Sequence, residues 1–233
     1  MSDASPEPRS GGPPVFNDPL RDEWANTVTH GASCVIALAG FAYMVALTRP
    51  MSIGGQIACL TYTASVVTVF LFSTLSHAVR EPYRRHRMRA WDQGTIYLMI
   101  AGTYTPFAWA FGGPWQIPLL IFLWAVAGFG FVSKVFMKHR VHSITTWTYL
   151  FLGWAPAIVL GPRVPIECLF GMGMGGILYT AGVVFLLKDQ HRRFNHAIWH
   201  LFVLIAATVH FLTICNQVVQ PLVSQLPKVA SIW

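Results

Sequence analysis

Phe194-Asn195-His196-Ala197-Ile198-Trp199-His200 opens an apolar segment that continues to Val218. Such a segment is long enough to cross a ~30 Å hydrocarbon core and lacks the polar face of a surface helix, so it reads as a membrane span. His196 and His200 are four apart, project from one helix face a turn apart, and at that spacing can hold one metal ion. Asn195 is a favoured N-cap, so the helix is expected to begin at His196 and to fix both imidazoles in its first two turns.

The rest of the chain repeats this pattern. Of its 233 residues 54% are hydrophobic and only 11% charged. Apolar blocks run from Thr27 to Leu47, Gly55 to Ala78, Gln93 to Phe111, Trp115 to Val135, Ile144 to Leu160, Val164 to Leu187 and His196 to Val218. The fold class that follows is an all-α integral membrane protein, a bundle of seven transmembrane helices. The fifth block is the shortest, contains Pro156 and ends at Gly161-Pro162. The first residues, 1–20, are rich in Pro, Ser, Gly and Asp and read as a disordered tail, with residues 21–233 forming one transmembrane domain. No short apolar stretch with a cleavage site follows a basic start, so no cleaved signal peptide is expected.

Charge orients the bundle. With seven spans, every Lys and Arg except Arg49, Arg163 and Lys228 falls on one side, which is 13 of the 16. Removing the fifth span would carry Lys188, Arg192 and Arg193 across, so the bias favours seven helices with the N-terminus cytoplasmic and the C-terminus outside. The net charge of +7 therefore serves topology, and nucleic acid is excluded as a partner. Cys34, Cys59, Cys168 and Cys215 stand singly in apolar surroundings, without the spacing of a thiolate metal site, and read as buried thiols.

This topology brings polar groups from three helices to one cytoplasmic layer: His77 at the end of the second, Asp92 at the start of the third, and His196 and His200 in the seventh. Three imidazoles and a carboxylate match a zinc site with an open fourth position. Ionisable side chains inside a membrane are costly unless they pair, bind an ion or face the bundle interior. Other roles remain available: Asp92 suits a helix N-cap, and His77 a hydrogen bond to a backbone carbonyl. Ser73, one turn before His77, can face an oxyanion or bond a carbonyl four residues back. Glu23, Asn26 and His30 form a stripe on the first helix, suited to capping, interhelical hydrogen bonds or support of the metal ligands. His210 lies roughly 15 Å beyond His200 by helical rise, too far to share an ion, and is expected to be buried and hydrogen-bonded. His86, His139, His142 and His191 lie in basic loops and need no special role. Thr103-Tyr104-Thr105-Pro106 is expected to interrupt the third helix, and Gly171, Gly173, Gly175 and Gly176 to allow close packing of the sixth.

Taken together, Glu23-x-x-Asn26-x-x-x-His30, Ser73-x-x-x-His77, Asp92 with Ile96 to Phe107, and His196-x-x-x-His200 resemble the hemolysin III branch of the progestin and adipoQ receptor family, in the family's order and from Glu23 to His210. The resemblance implies a seven-helix protein of the cell membrane with zinc near the cytoplasmic face, its ligands at His77, His196 and His200. It also implies that Asp92 binds the metal directly or through water. Related families hydrolyse ceramide, so the implied function is hydrolysis of a lipid amide, with Asp92 and Ser73 catalytic and a membrane lipid as substrate. A receptor-like sensor or lytic protein with a structural zinc is the alternative. Gln93 and Ser76 depart from the family's pattern and bear on the shape of the pocket.

Overall fold

Long apolar runs in a medium without water form helices because each backbone N–H and C=O must then be satisfied within its own segment. The structure, a computed structural model, describes residues 19–137, 142–188 and 194–225. Among these, seven long helices account for most of the chain and there is no strand: α1 (Pro19–Thr48), α2 (Ile53–Ala78), α3 (Pro82–Phe111), α4 (Gln116–Val135), α5 (His142–Leu160), α6 (Ile166–Leu187) and α7 (Asn195–Ile214). After α7 the chain passes through a π-helical turn, Cys215–Val219, into the short α8 (Gln220–Gln225). Of the tail expected over residues 1–20, residues 1–18 lie outside the described residues, as do His139, Arg140, His191, Arg192 and Arg193, and α1 starts at Pro19.

By length and composition five helical stretches are apolar enough to cross a membrane: Asp22–Thr48, Ile53–Ala78, Gly113–Val135, Ile166–Leu187 and Asn195–Ser224. The other two long helices differ for visible reasons. The apolar part of α5 is the short stretch Thr146–Leu160. In α3 the apolar half is diluted by Thr95, Tyr97, Thr103, Tyr104 and Thr105, and the first turns carry Arg84, Arg85, Arg87 and Arg89.

Helix α3 corrects two expectations. It begins at Pro82, capped by Glu81, whose carboxylate accepts from the backbone N–H of Tyr83 (2.9 Å) and Arg84 (2.7 Å). Asp92 therefore sits ten residues inside a helix and is not its N-cap. Arginine is a good helix former, so a charged stretch that hydropathy assigns to a loop extends the helix instead. The same helix runs through Pro106 without a break to Phe111. Close to that proline, the hydroxyls of Thr103 and Thr105 donate to the carbonyls of Met99 and Ala101 (both 2.8 Å). A third correction concerns α7, where the N-cap position is Phe194 in a left-handed conformation (φ 61°). Asn195 lies within the first turn and its side-chain amide donates to the carbonyl of Lys188 (2.7 Å), tying the start of α7 to the end of α6.

Sequential helices pack side by side, α1 on α2, α2 on α3, α3 on α4 and α6 on α7; α1 also meets α7, and α5 lies on α3. Large apolar side chains such as Ile57, Phe129, Phe151, Ile158 and Phe170 face outward, while the interior holds Tyr62, Phe70, Phe107 and Leu123. Lipid provides little hydrophobic force between helices, so close van der Waals packing at small residues decides which faces meet. Gly130 is such a residue: a Cβ there would meet the Tyr97 ring at 2.6 Å. In α6, Gly171 lies against Thr213, Gly175 against His210 and Gly176 against Trp154, as close packing requires, whereas a Cβ on Gly173 would meet nothing within 4 Å. The four cysteines are free thiols, Cys59, Cys168 and Cys215 buried.

Two glycines of one helix give a paired test. Gly130→Ala should destabilise the α3–α4 contact by about 1–3 kcal/mol through overpacking against Tyr97. Gly128→Ala, which meets nothing within 4 Å, should be neutral or stabilise by up to about 1 kcal/mol through helix propensity. Thermal unfolding of both variants in detergent checks the pair, and equal midpoints would contradict the contact.

Candidate metal centre

The last turn of α2 carries His77, and the first two turns of α7 carry His196 and His200. One ring nitrogen from each of the three lies within 4.8 Å of the others. Ring centroids are 5.1 Å apart for His77 and His196, 5.3 Å for His77 and His200, and 4.5 Å for His196 and His200. The triad expected from the sequence thus comes together in space.

The first helix determines how the imidazoles face. Nδ1 of His77 lies 2.7 Å from Oε2 of Glu23, and since a carboxylate only accepts, Nδ1 carries the proton. Nε2 of His77 is then a lone pair, and it is buried without a hydrogen-bond partner. On α7, Nδ1 of His200 lies 3.3 Å from Oγ1 of Thr29. The Thr29 hydroxyl proton is committed to the carbonyl of Ala25 (2.8 Å), so His200 donates from Nδ1 and its Nε2 is also a lone pair. An imidazole whose outer nitrogen is held by a hydrogen bond, with the inner nitrogen turned to the cluster, is the arrangement a metal ion requires. The orphaned Nε2 of His77 is the observation that the residues fit such an ion.

Glu23 does more than hold His77. Its other oxygen, Oε1, pairs with the Arg85 guanidinium and lies 3.4 Å from Arg89. The stripe on α1 therefore makes interhelical contacts, one of them to a histidine of the triad. His30, on the same stripe, is buried, and its ring centroid is 3.5 Å from that of His200 and 6.2 Å from that of His77. Neither ring nitrogen of His30 has a hydrogen-bond partner.

Asp92 falls outside the group of three. It faces α2, where the Ser76 hydroxyl lies 3.0 Å from Oδ2. Ser73 is buried on the same helix and lines the cavity together with Asp92. Ser76, in the sequence only a departure from a pattern, is the serine that reaches the carboxylate. Its spacing of three from Ser73, which places both on one helix face, is the signal that could have found it. Thr29 offers no such signal, because its role depends on where α7 packs.

The triad closes the polar end of a cavity of about 960 Å³. Its apolar walls include Met99, Ile100, Leu150, Ala157, Leu169 and Met172, and it reaches His210 on α7. His210 is buried and bonds the carbonyl of Met172 (3.1 Å), as expected from the sequence.

Residues 19–211 match the family described as Haemolysin-III related. The chain is 34% identical to Hemolysin-3 of Bacillus cereus over 199 residues, covering 82% of this chain and 90% of that protein. It is 31% identical to the Hemolysin-3 homolog of Bacillus subtilis (strain 168), with coverage of 82% and 92%. It is also 32% identical to the human Monocyte to macrophage differentiation factor over 197 residues, 82% of each chain.

Glu23→Ala should lower stability by about 1–3 kcal/mol, because His77 Nδ1 and Arg85 both lose their partner. Glu23→Gln, whose amide oxygen still accepts from Nδ1–H, should lose less. Thermal unfolding of the two variants side by side measures the difference, and an unchanged midpoint for Glu23→Ala would show that the bridge does not hold the helices together.

Proposed function

Since this chain belongs to the Haemolysin-III related family, within the hemolysin III branch of the progestin and adipoQ receptor family, and is a multi-pass membrane protein in keeping with the cell membrane, we propose that it is a zinc-dependent hydrolase of a lipid amide of ceramide-like chemistry. The observation that carries this reading is the histidine triad at the polar end of a long, largely apolar cavity. His77, His196 and His200 would hold zinc through three imidazoles, a ligand set that leaves a fourth position open. When bound, zinc supplies a Lewis acid that polarises a carbonyl and lowers the pKa of water toward ~7.

The remaining steps belong to the chain. The apolar walls take the acyl chain, which enters sideways between helices and brings its carbonyl to the polar end. Asp92, bonded by Ser76, is the base that takes a proton from the attacking water, and Ser73, which lines the same cavity, stabilises the oxyanion. The same carboxyl returns that proton to the amide nitrogen as the C–N bond breaks, so that a fatty acid and an amine leave. Its position suits Asp92 to this role, because a carboxylate that lines the cavity outside the triad can act on water without filling the open ligand position.

The proposal includes seven spans, with the N-terminus cytoplasmic and the triad near the cytoplasmic face. The long helices α3 and α5 complete the seven, and the sidedness rests on the distribution of Lys and Arg. A reporter fused after Trp233 should then be active only outside the cytoplasm; cytoplasmic activity would mean a different number of crossings.

The central experiment measures zinc and turnover together on purified protein. Wild type should carry about one zinc per chain, and His200→Ala should lose most of it, since ligands supply the binding free energy. Asp92→Asn should keep zinc and fold but lose ceramide hydrolysis by roughly two to four orders of magnitude, the range of general-base catalysis. Loss of zinc and stability together in Asp92→Asn would make Asp92 a ligand of a structural site and favour the sensor-like or lytic reading. Full zinc content in His200→Ala would remove the site.

A further inference from the structure

His210 is the polar group that a cavity for a plain hydrocarbon chain does not need. It follows His200 by ten residues on one helix, about 15 Å along the axis, and lines the same cavity. Its place is built with care: a Cβ on Gly175 would meet Nε2 at 2.2 Å, so only glycine lets the imidazole lie against α6 at that point. There Nε2 lies 3.1 Å from the carbonyl of Met172. A carbonyl only accepts, so Nε2 carries the proton and Nδ1 is a lone pair. That lone pair is buried and has no hydrogen-bond partner.

Tyr179, one turn beyond Gly175 on α6, adds a second polar group with unused capacity. Its ring centroid is 5.8 Å from that of His210, and its hydroxyl is 4.0 Å from the sulfur of Met99, a weak acceptor. Tyr179 lines the cavity as well. A leucine or phenylalanine at either position would contact an alkyl chain without burying an unused hydrogen-bonding atom.

We propose that this end of the cavity is a second ligand subsite, in which His210 accepts a hydrogen bond from a hydroxyl carried partway along a lipid chain, about 15 Å from the histidine triad, with Tyr179 beside it. The substrate class is then a lipid hydroxylated within its chain. The inference rests on the proposed function only in requiring that a lipid chain fills the cavity.

Binding to the purified full chain in nanodiscs tests it, with radiolabelled octadecanoic acid, 12-hydroxyoctadecanoic acid and 2-hydroxyoctadecanoic acid as probes. Wild type should hold the 12-hydroxy acid about tenfold more tightly than the plain acid, the worth of one hydrogen bond to a buried acceptor, and should gain nothing from the 2-hydroxy group. His210→Leu should abolish the preference while still binding the plain acid, and Tyr179→Phe should reduce it. Equal binding of the three acids by wild type would overturn the subsite while leaving the cavity a lipid site. So would a preference that survives in His210→Leu. Binding of none of them would overturn the subsite and the lipid reading together. Should His210→Leu fail to fold, the wild-type ratio and Tyr179→Phe decide: an undiminished preference in Tyr179→Phe together with a 2-hydroxy gain equal to the 12-hydroxy gain would overturn the proposal.

Discussion

The hydrogen bond of 2.7 Å between Glu23 and Nδ1 of His77 joins the first helix to the second beside the histidine triad. It does two things at once: it satisfies a carboxylate that would otherwise be expensive inside the bundle, and it selects the imidazole tautomer whose Nε2 faces the other two histidines. Thr29 does the same for His200 one and a half turns further along α1. The first helix contributes no member of the triad, yet it decides how two of the three are presented. A hydrogen bond to the outer ring nitrogen fixes the orientation of the whole imidazole, and with it the direction of the inner nitrogen.

The rest of the fold obeys the demands of the bilayer. Buried hydroxyls bond back to carbonyls of their own helix, as Thr48 does to Met44 (2.7 Å) and Thr103 to Met99 (2.8 Å), so that these polar side chains enter the interior with their hydroxyls satisfied. Tyrosines reach across helices, Tyr62 to the carbonyl of Ala207 and Tyr149 to that of Gln93 (both 2.6 Å). Glycines take the place that apolar collapse holds in a water-soluble protein: Gly102 against Ser65 and Gly130 against Tyr97 bring backbones close enough for dispersion to act. The polar layer is tolerated because most groups in it have a partner within the bundle.

Much of this is legible in the residues, and the limits have physical causes. The blocks of apolar residues locate all seven long helices, since hydropathy reports directly on the medium. The spacing of His196 and His200 shows that they share a face, which is a property of the helix alone. Hydropathy misplaces Asp92 relative to its helix because it treats charge as loop, whereas Glu81 and Pro82 cap a helix that carries its arginines in its first turns. Asn195 has the residue type of a cap, but the left-handed Phe194 takes that position and frees the amide to reach Lys188. Contacts such as Thr29 to His200 and Ser76 to Asp92 follow from how helices dock, and no spacing within one segment encodes them.

Glu23 is shared between the buried histidine and two arginines in the first turns of α3, and this sharing sets how far the influence of ionic strength extends toward the polar layer. Arg89 has a side chain half exposed and stands 3.4 Å from the carboxylate, while Arg85 is closer and more enclosed. Dissolved ions, with a Debye length of about 8 Å at physiological strength, weaken the exposed pair first and the enclosed pair little. As salt rises, the carboxylate is released from its outer partner but stays fixed by its inner one. Arg85 thus acts as a buffer between the electrolyte outside and the imidazole within, and the tautomer of His77 is insulated from the ionic conditions at the surface.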